Sequence, residues 1–232
     1  MRFRSKRYKK DTNQAARKPL PLDEALKALK AYSKAKFDET VDLVCWLGID
    51  PRQADQMIRG SVSLPKGIGK SKRVIAFCGE GDVEEAKAAG AVEAGGEELV
   101  AKVQGGWLDF DVAVAHPSMM GKVGKLGRVL GPVGKMPSPK SGTVTPQLVQ
   151  AVRDYSAGKL EFRNDKGGNV HAVVGKLSFA DADLKENILA FVGHIRRMKP
   201  ATAKGQFLRK VCISGTMTPG VEIDTSTSGG LE

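Results

Sequence analysis

KRVIAFCGEGDVEEAKAAGAVEAGGEELVAKVQGGWLDFDVAVA, residues 72–115, decides the fold class. KRVIAFC (72–78) and DVAVA (111–115) are continuous apolar runs. Between them lie a helical DVEEAKAAG, a short AVEA and a helical EELVAKV. Apolar strands that alternate with helices predict a parallel sheet covered on both faces. Outside this stretch the pattern is different. TVDLVCWLGI places Val41, Leu43, Cys45 and Leu47 on one side of a half-buried strand, and RGSVSL (59–64) reads as a second strand. A helix is predicted from Leu22 to about Ala35, with Pro21 near its first turn. Amphipathic strands return at KLEFRND and NVHAVVGK. They are followed by a helix near 183–198 and by QFLRKVCISG and GVEID.

The predicted organisation is therefore α/β and α+β in two domains. Residues 1–67 and 159–232 form a split α+β domain with a basic arm at 1–18, and residues 68–158 form an inserted Rossmann-like three-layer α/β domain. The two Gly/Lys-rich crossings between them would act as a hinge. Charge divides along the same line. The chain carries a net +11, but residues 68–158 hold 11 Lys/Arg against 10 Asp/Glu, so nearly all the excess lies in the outer domain. Such a balance favours a polyanionic partner. Residues 1–18, with eight Lys/Arg and one Asp, read as a solvated arm or as one that orders on nucleic acid.

Function classes drop out in turn. No apolar run is long enough for a spanning helix, and the basic N-terminus leads into no apolar signal core, so no membrane partner is expected. Cys45, Cys78 and Cys212 are far apart, as are His116, His171 and His194, which predicts no metal site and fits a reduced cytosol. No catalytic constellation and no cofactor are predicted. Aromatics make up 6% of residues, which disfavours a broad stacking platform.

In GKVGKLGRVLGPVGKMPSPKSGTVTP (121–146) glycines recur at 121, 124, 127, 131 and 134, with Lys122, Lys125, Arg128, Lys135 and Lys140 among or just beyond them, and 121–140 contain no acid. Pro132, Pro137 and Pro139 make a regular helix unexpected across its second half. It reads as a loop that buries little and offers bare backbone and cations to phosphate. Helix resumes after it, with Thr145-Pro146 as N-cap and first turn. Neither nucleotide fingerprint fits. GIGKSK (67–72) has Leu64 where a Walker A loop needs glycine, and the glycines of 121–134 follow a late strand and are spaced by three or four, unlike the dinucleotide fingerprint. A phosphate- or nucleotide-handling α/β enzyme remains the alternative reading.

Further candidates have bland readings beside functional ones. Phe37, next to Lys36, reads as core on its own, although a polar edge there could meet a ribose or base. FRNDKGGNVHAVVGK (162–176) predicts a hairpin presenting Arg163, Lys166, His171 and Lys176 to phosphates. SGTMTPG (214–220) is a tight turn whose hydroxyls at Ser214, Thr216 and Thr218 could read RNA. His194 reads as incidental, and Trp46 and Trp107 as packing residues.

Four blocks, KFDETVDL (36–43), GKLGRVLGPVGKMPSPKSGTV (124–144), FRNDKGGNVHAVVGK (162–176) and GTMTPGV (215–221), resemble the large-subunit ribosomal protein L-one family of the mobile ribosomal stalk. They occur in family order, and the similarity runs from about residue 4 to 224. The resemblance implies a non-enzymatic protein of the cytoplasmic large ribosomal subunit. It would bind the stalk rRNA, take part in releasing exit-site tRNA and repress translation by binding its own mRNA, with no small-molecule substrate. It places the RNA surface on Lys36, Phe37, Thr40, Arg163, Asn164, Asp165, Lys166, His171, Lys176, Ser214, Thr216 and Met217, with a secondary contact from the 121–146 loop. Two positions depart from the family pattern. Thr218 stands where glycine is usual, a problem if the turn needs positive φ, and Val133 replaces an arginine while Lys135 supplies a cation two positions on.

Overall fold

The computed structural model describes residues 4–16 and 18–225; residues 1–3, 17 and 226–232, including parts of the basic arm, lie outside the described residues. The chain divides into two compact units, Met1–Gly69 with Phe162–Glu232, and Lys70–Glu161.

In the first unit, the arm is not an extended tail. Lys6–Gln14 form helix α1, N-capped by the Ser5 hydroxyl, which accepts from the Tyr8 N–H at 3.2 Å. The anchor is Asp11, a buried carboxylate that takes the Ser33 hydroxyl at 2.7 Å. The charge count of the arm hides this one buried acid. Helix α2 spans Leu22–Ala31 and ends earlier than the sequence suggests. It buries Leu22, Ala25, Leu26 and Leu29, the period of one helical face. Strand β1, Thr40–Leu47, follows, and then the short β2, Arg59–Val62.

The second unit begins with β3, Val74–Phe77, a helix α3, Val83–Ala88, a short β4, Glu93–Gly95, helix α4, Glu97–Gln104, and β5, Val112–Ala115. The strands form a parallel sheet in the order β4-β3-β5. Alternate residues of β3 feed opposite cores. Ile75 and Phe77 pack with Leu99, Val103 and Phe110, whereas Val74 and Ala76 pack with Ala86, Val152 and Tyr155. Three layers result, because a strand that is apolar at every position must be covered twice.

The glycine-rich stretch departs from expectation. Pro117–Met119 and Gly124–Leu126 are 3-10 turns that join helices α5, Met120–Val123, and α6, Gly127–Val133, into a nearly continuous helical run. Met119, Val123, Leu126 and Leu130 are buried at helical spacing. The glycines fall on the exposed side, so the segment buries a full apolar stripe despite them. Pro132 is tolerated in the last turn, and Gly134 closes it in the left-handed conformation at φ 74°. Helix α7, Leu148–Ser156, starts later than expected. Thr145 precedes it and accepts the Gln147 N–H at 3.2 Å.

Strand β6, Leu160–Arg163, carries the chain back into the first unit, and β7, Asn169–Lys176, follows. The predicted hairpin between them does not form. β6 pairs with β2 and β7 pairs with β1, and the two strands share only the Asn164–Val170 bridge. Two alternating strands around a turn carry the same signal whichever partners they take. Helix α8, Asp181–Arg197, strand β8, Leu208–Gly215, and strand β9, Val221–Ile223, complete an antiparallel sheet in the order β7-β1-β8-β9. Helices α2 and α8 cover one face of it. Val41, Leu43, Cys45 and Leu47 point to that side, while Thr40, Asp42, Val44 and Trp46 look out from the other.

Candidate nucleic-acid interface

At the end of this sheet where β1 begins, three chain segments are tied together. Glu39 is 1% exposed, and its two carboxylate oxygens accept backbone N–H groups from different segments, Ala35 at 3.1 Å and Met217 at 2.8 Å. Its own carbonyl accepts the Leu177 N–H at 2.9 Å. Thr216 adds a second tie, since its hydroxyl oxygen accepts the Thr40 N–H at 3.1 Å. Lys176 Nζ donates to the Thr40 hydroxyl at 2.8 Å, across the β1–β7 pair in which those two residues face each other.

This bracing holds two apolar side chains in solvent. Phe37 is 55% exposed and Met217 49%. The core reading of Phe37 is therefore overturned: the covered side of the sheet is filled by α2 and α8, and Phe37 precedes the strand. Behind it opens a cavity of about 330 Å³ walled in part by Leu29, Tyr32, Leu177 and Thr218. Lys36 is exposed beside it, Ser214 is half-buried opposite Asp42, and Arg7 of α1 donates to the Met217 carbonyl at 3.3 Å.

Thr218 fits its turn. Every non-glycine residue described has negative φ, and the Thr218 hydroxyl accepts the Gly215 N–H at 2.8 Å. The departure from glycine thus supplies a hydrogen bond and no strain.

The other candidates lie at the opposite end of β7, roughly 23 Å along an eight-residue strand. Arg163, Lys166 and His171 are exposed there. Asn164 is not available: it is buried, its side-chain oxygen accepts the Ile58 N–H at 2.8 Å, and its amide donates to the Asp165 carbonyl. Asp165 is also a framework residue. It takes the Asn169 side-chain amide and backbone N–H and the Gly167 N–H, which hold its carboxyl down to about 2, with His171 3.6 Å away. On the open face between the two ends, burial pushes the Asp42 carboxyl up while His171 and Lys176 draw it back.

In the second unit the cations of 121–146 are unequal. Lys122 pairs with Glu97 at 2.6 Å, and Lys135 donates to the Leu108 carbonyl at 3.1 Å and to that of Phe110. Lys135 therefore closes α6 onto the core, its ammonium spent on two backbone carbonyls. Lys125, Arg128 and Lys140 are exposed. The segment before β3 does not cradle phosphate in the manner of a nucleotide loop, because Gly67 and Gly69 lead into a strand, whereas such a loop opens a helix. Among the described residues no His, Cys, Asp or Glu group is placed to hold a metal ion, and no helix is long and apolar enough to cross a membrane.

Sequence reasoning missed Glu39, Arg7, Trp46 and Arg209. Trp46 is 42% exposed, with the Arg209 guanidinium 5.2 Å above its ring, and is not a packing residue. Strand parity carried that signal, since Trp46 alternates with Cys45 and Leu47. Nothing local marks Glu39 as buried.

Residues 29–219 match the model of the ribosomal protein L1p/L10e family. The chain is 54% identical over 200 residues to the large ribosomal subunit protein uL1 of Nocardioides sp. (strain ATCC BAA-499 / JS614), covering 86% of this chain and 83% of that protein. It is 48% identical to the protein of the same name from Thermobifida fusca, over 97% and 96% of the two chains, and 49% identical to that of Kosmotoga olearia, over 95% and 96%.

Proposed function

The chain belongs to the ribosomal protein L1p/L10e family, and we propose that it is a non-catalytic component of the cytoplasmic large ribosomal subunit that grips the stalk rRNA. The primary contact is the braced end of the split sheet: Lys36, Phe37, Thr40, Lys176, Ser214, Thr216 and Met217. Arg163 at the end of β6, Lys166 in the turn that follows and His171 on the edge strand β7 extend it, the turn being shaped from within by Asn164 and Asp165. The observation that carries this reading is the pair of exposed apolar side chains, Phe37 and Met217, held by a buried carboxylate. Side chains kept in solvent by such a brace are preorganised to meet a surface.

Affinity comes from cations that neutralise phosphates and release counterions. Recognition comes from apolar contact with ribose and base edges around Phe37 and Met217. Lys125, Arg128 and Lys140 of the inserted unit supply a secondary RNA contact. As part of the same proposal, the protein takes part in releasing exit-site tRNA and represses translation by binding a stalk-like structure in its own mRNA.

The test is binding to a fragment of the stalk rRNA in the presence of competitor RNA. Phe37→Ala and Met217→Ala remove exposed side chains and leave the core intact. Each should weaken cognate binding by about 1–3 kcal/mol. Unchanged affinity in both variants would reject the interface, and cosedimentation with large subunits tests the assembly. Competition by the leader of its own mRNA tests the repressor role.

A further inference from the structure

Trp46 lies on β1 six residues beyond Thr40 and on the same open side of the sheet, roughly 20 Å away. Its strand neighbours Cys45 and Leu47 are buried, so the ring is turned outward by parity. Across from it, β8 skips a register. Trp46 pairs with Lys210 and Leu47 with Leu208, which leaves Arg209 as the extra residue of a bulge. A bulge re-aims side chains and bends the strand. Here it keeps two consecutive cations out of the core. Lys210 pairs with Glu222 at 2.5 Å, while Arg209 is exposed and lies over the indole at 5.2 Å. Arg209 also borders a polar concavity of about 480 Å³ with Lys204 on its rim and Asp50 as its acid.

We infer that Trp46 and Arg209 form a second RNA contact at this end of the sheet. An unstacked base lies against the exposed part of the indole, and the guanidinium meets the adjoining phosphate. This rests on the RNA-binding reading above and deepens it by adding a stacking site that neither Phe37 nor Met217 provides. Three features select RNA as the occupant. The indole is a flat surface that accepts any base, and a guanidinium already stacked on it needs no ordering before it meets a phosphate. The flanks of Trp46 are Asn169 on one side and Lys210 on the other, polar where an apolar protein partner would need a wider patch. Finally, the site continues the face that carries Thr40, so one RNA could span both ends.

Trp46 and Trp107 are the chain's two tryptophans, so full-length protein with Trp107→Phe reports on Trp46 through its emission. Titration with the stalk rRNA fragment should quench that emission saturably. Trp46→Ala should weaken binding about tenfold and Trp46→Phe less. Arg209→Ala should lower the slope of log affinity against log salt by about one. Met217→Ala serves as the reference for the other end of the face. If the parent binds the fragment and loses affinity with Met217→Ala, yet Trp46 emission and the Trp46→Ala affinity do not change, this contact is rejected and the primary interface stands. If the parent does not bind the fragment, both readings fall. Concentration-dependent self-association abolished by Trp46→Ala would make the patch a protein contact and overturn the assignment.

Discussion

Glu39 and Met217 are joined across 178 residues of sequence by one hydrogen bond, a buried carboxylate oxygen accepting the Met217 N–H at 2.8 Å. The second oxygen holds Ala35, on the approach to Phe37. One side chain thus fixes the backbone beneath both exposed apolar contacts.

Glu39→Gln tests that brace. Both oxygens face N–H donors, so a glutamine must turn its NH₂ toward one of them and leave it unsatisfied in a buried site. Chemical denaturation should show a loss of about 1–3 kcal/mol. RNA affinity should fall as well, although residue 39 itself is covered.

Lys36→Ala should act differently from Met217→Ala. Lys36 is exposed beside Phe37, and a lysine on a phosphate contributes sequence-independent, salt-dependent affinity. Its loss should reduce the salt slope by about 0.7–0.9 and weaken cognate and competitor RNA alike. Met217→Ala should leave the slope unchanged and narrow the preference for cognate RNA. Filter binding across a salt series separates the two.

These contrasts also show what the residues disclosed in advance. The alternation of Val41, Leu43, Cys45 and Leu47 and the apolar runs at 72–78 and 111–115 specify their strands, because burial on one face or two leaves a direct periodic trace. The run at 117–133 was hidden because its glycines and prolines outweigh, by eye, the stripe of Met119, Val123, Leu126 and Leu130 that buries it. Strand partners were not legible: β6 and β7 read as a hairpin, and only tertiary packing sends them to β2 and β1. The site was legible where a side chain is both unusual and exposed, as at Met217. It was not legible where a polar residue works from inside, as Glu39 and Asn164 do.

The helical reading of 117–133 makes its own prediction. Gly124 and Gly127 have right-handed helical dihedrals, and a Cβ built on either meets nothing within 4 Å. Neither conformation nor packing within the chain requires glycine. Gly124→Ala and Gly127→Ala should each stabilise the protein by about 0.5–1 kcal/mol in thermal unfolding. A loop-like segment would instead show no gain.

Asp165 gives a pH signature. Its bonds from Asn169 and Gly167 hold the folded carboxyl at about 2, below the ordinary value of about 3.9 in an unfolded chain. The resulting stability is present above pH ~4 and is lost as pH falls toward ~2. Asp165→Ala should cost about 1 kcal/mol at pH 6, and the gap between variant and parent should narrow through that window. Denaturant unfolding at several pH values checks it; a gap that stays constant would mean that the turn does not depend on the ionised carboxylate.

Thr218 offers the last test, because the resemblance puts glycine where this chain has a β-branched residue. Its hydroxyl satisfies the Gly215 N–H at 2.8 Å, and its N–H donates to the Gly215 carbonyl at 3.3 Å. The turn therefore closes on itself beneath Met217. Thr218→Gly deletes the first of these bonds at a buried position and returns backbone freedom to the unfolded chain. Together these should cost about 1–2 kcal/mol. Thr218→Ser keeps the hydroxyl and should recover most of the loss, whereas Thr218→Val keeps the branching and should not. If valine rescued stability and serine did not, packing of the methyl group against the cavity wall, and not the hydrogen bond, would be what holds this turn.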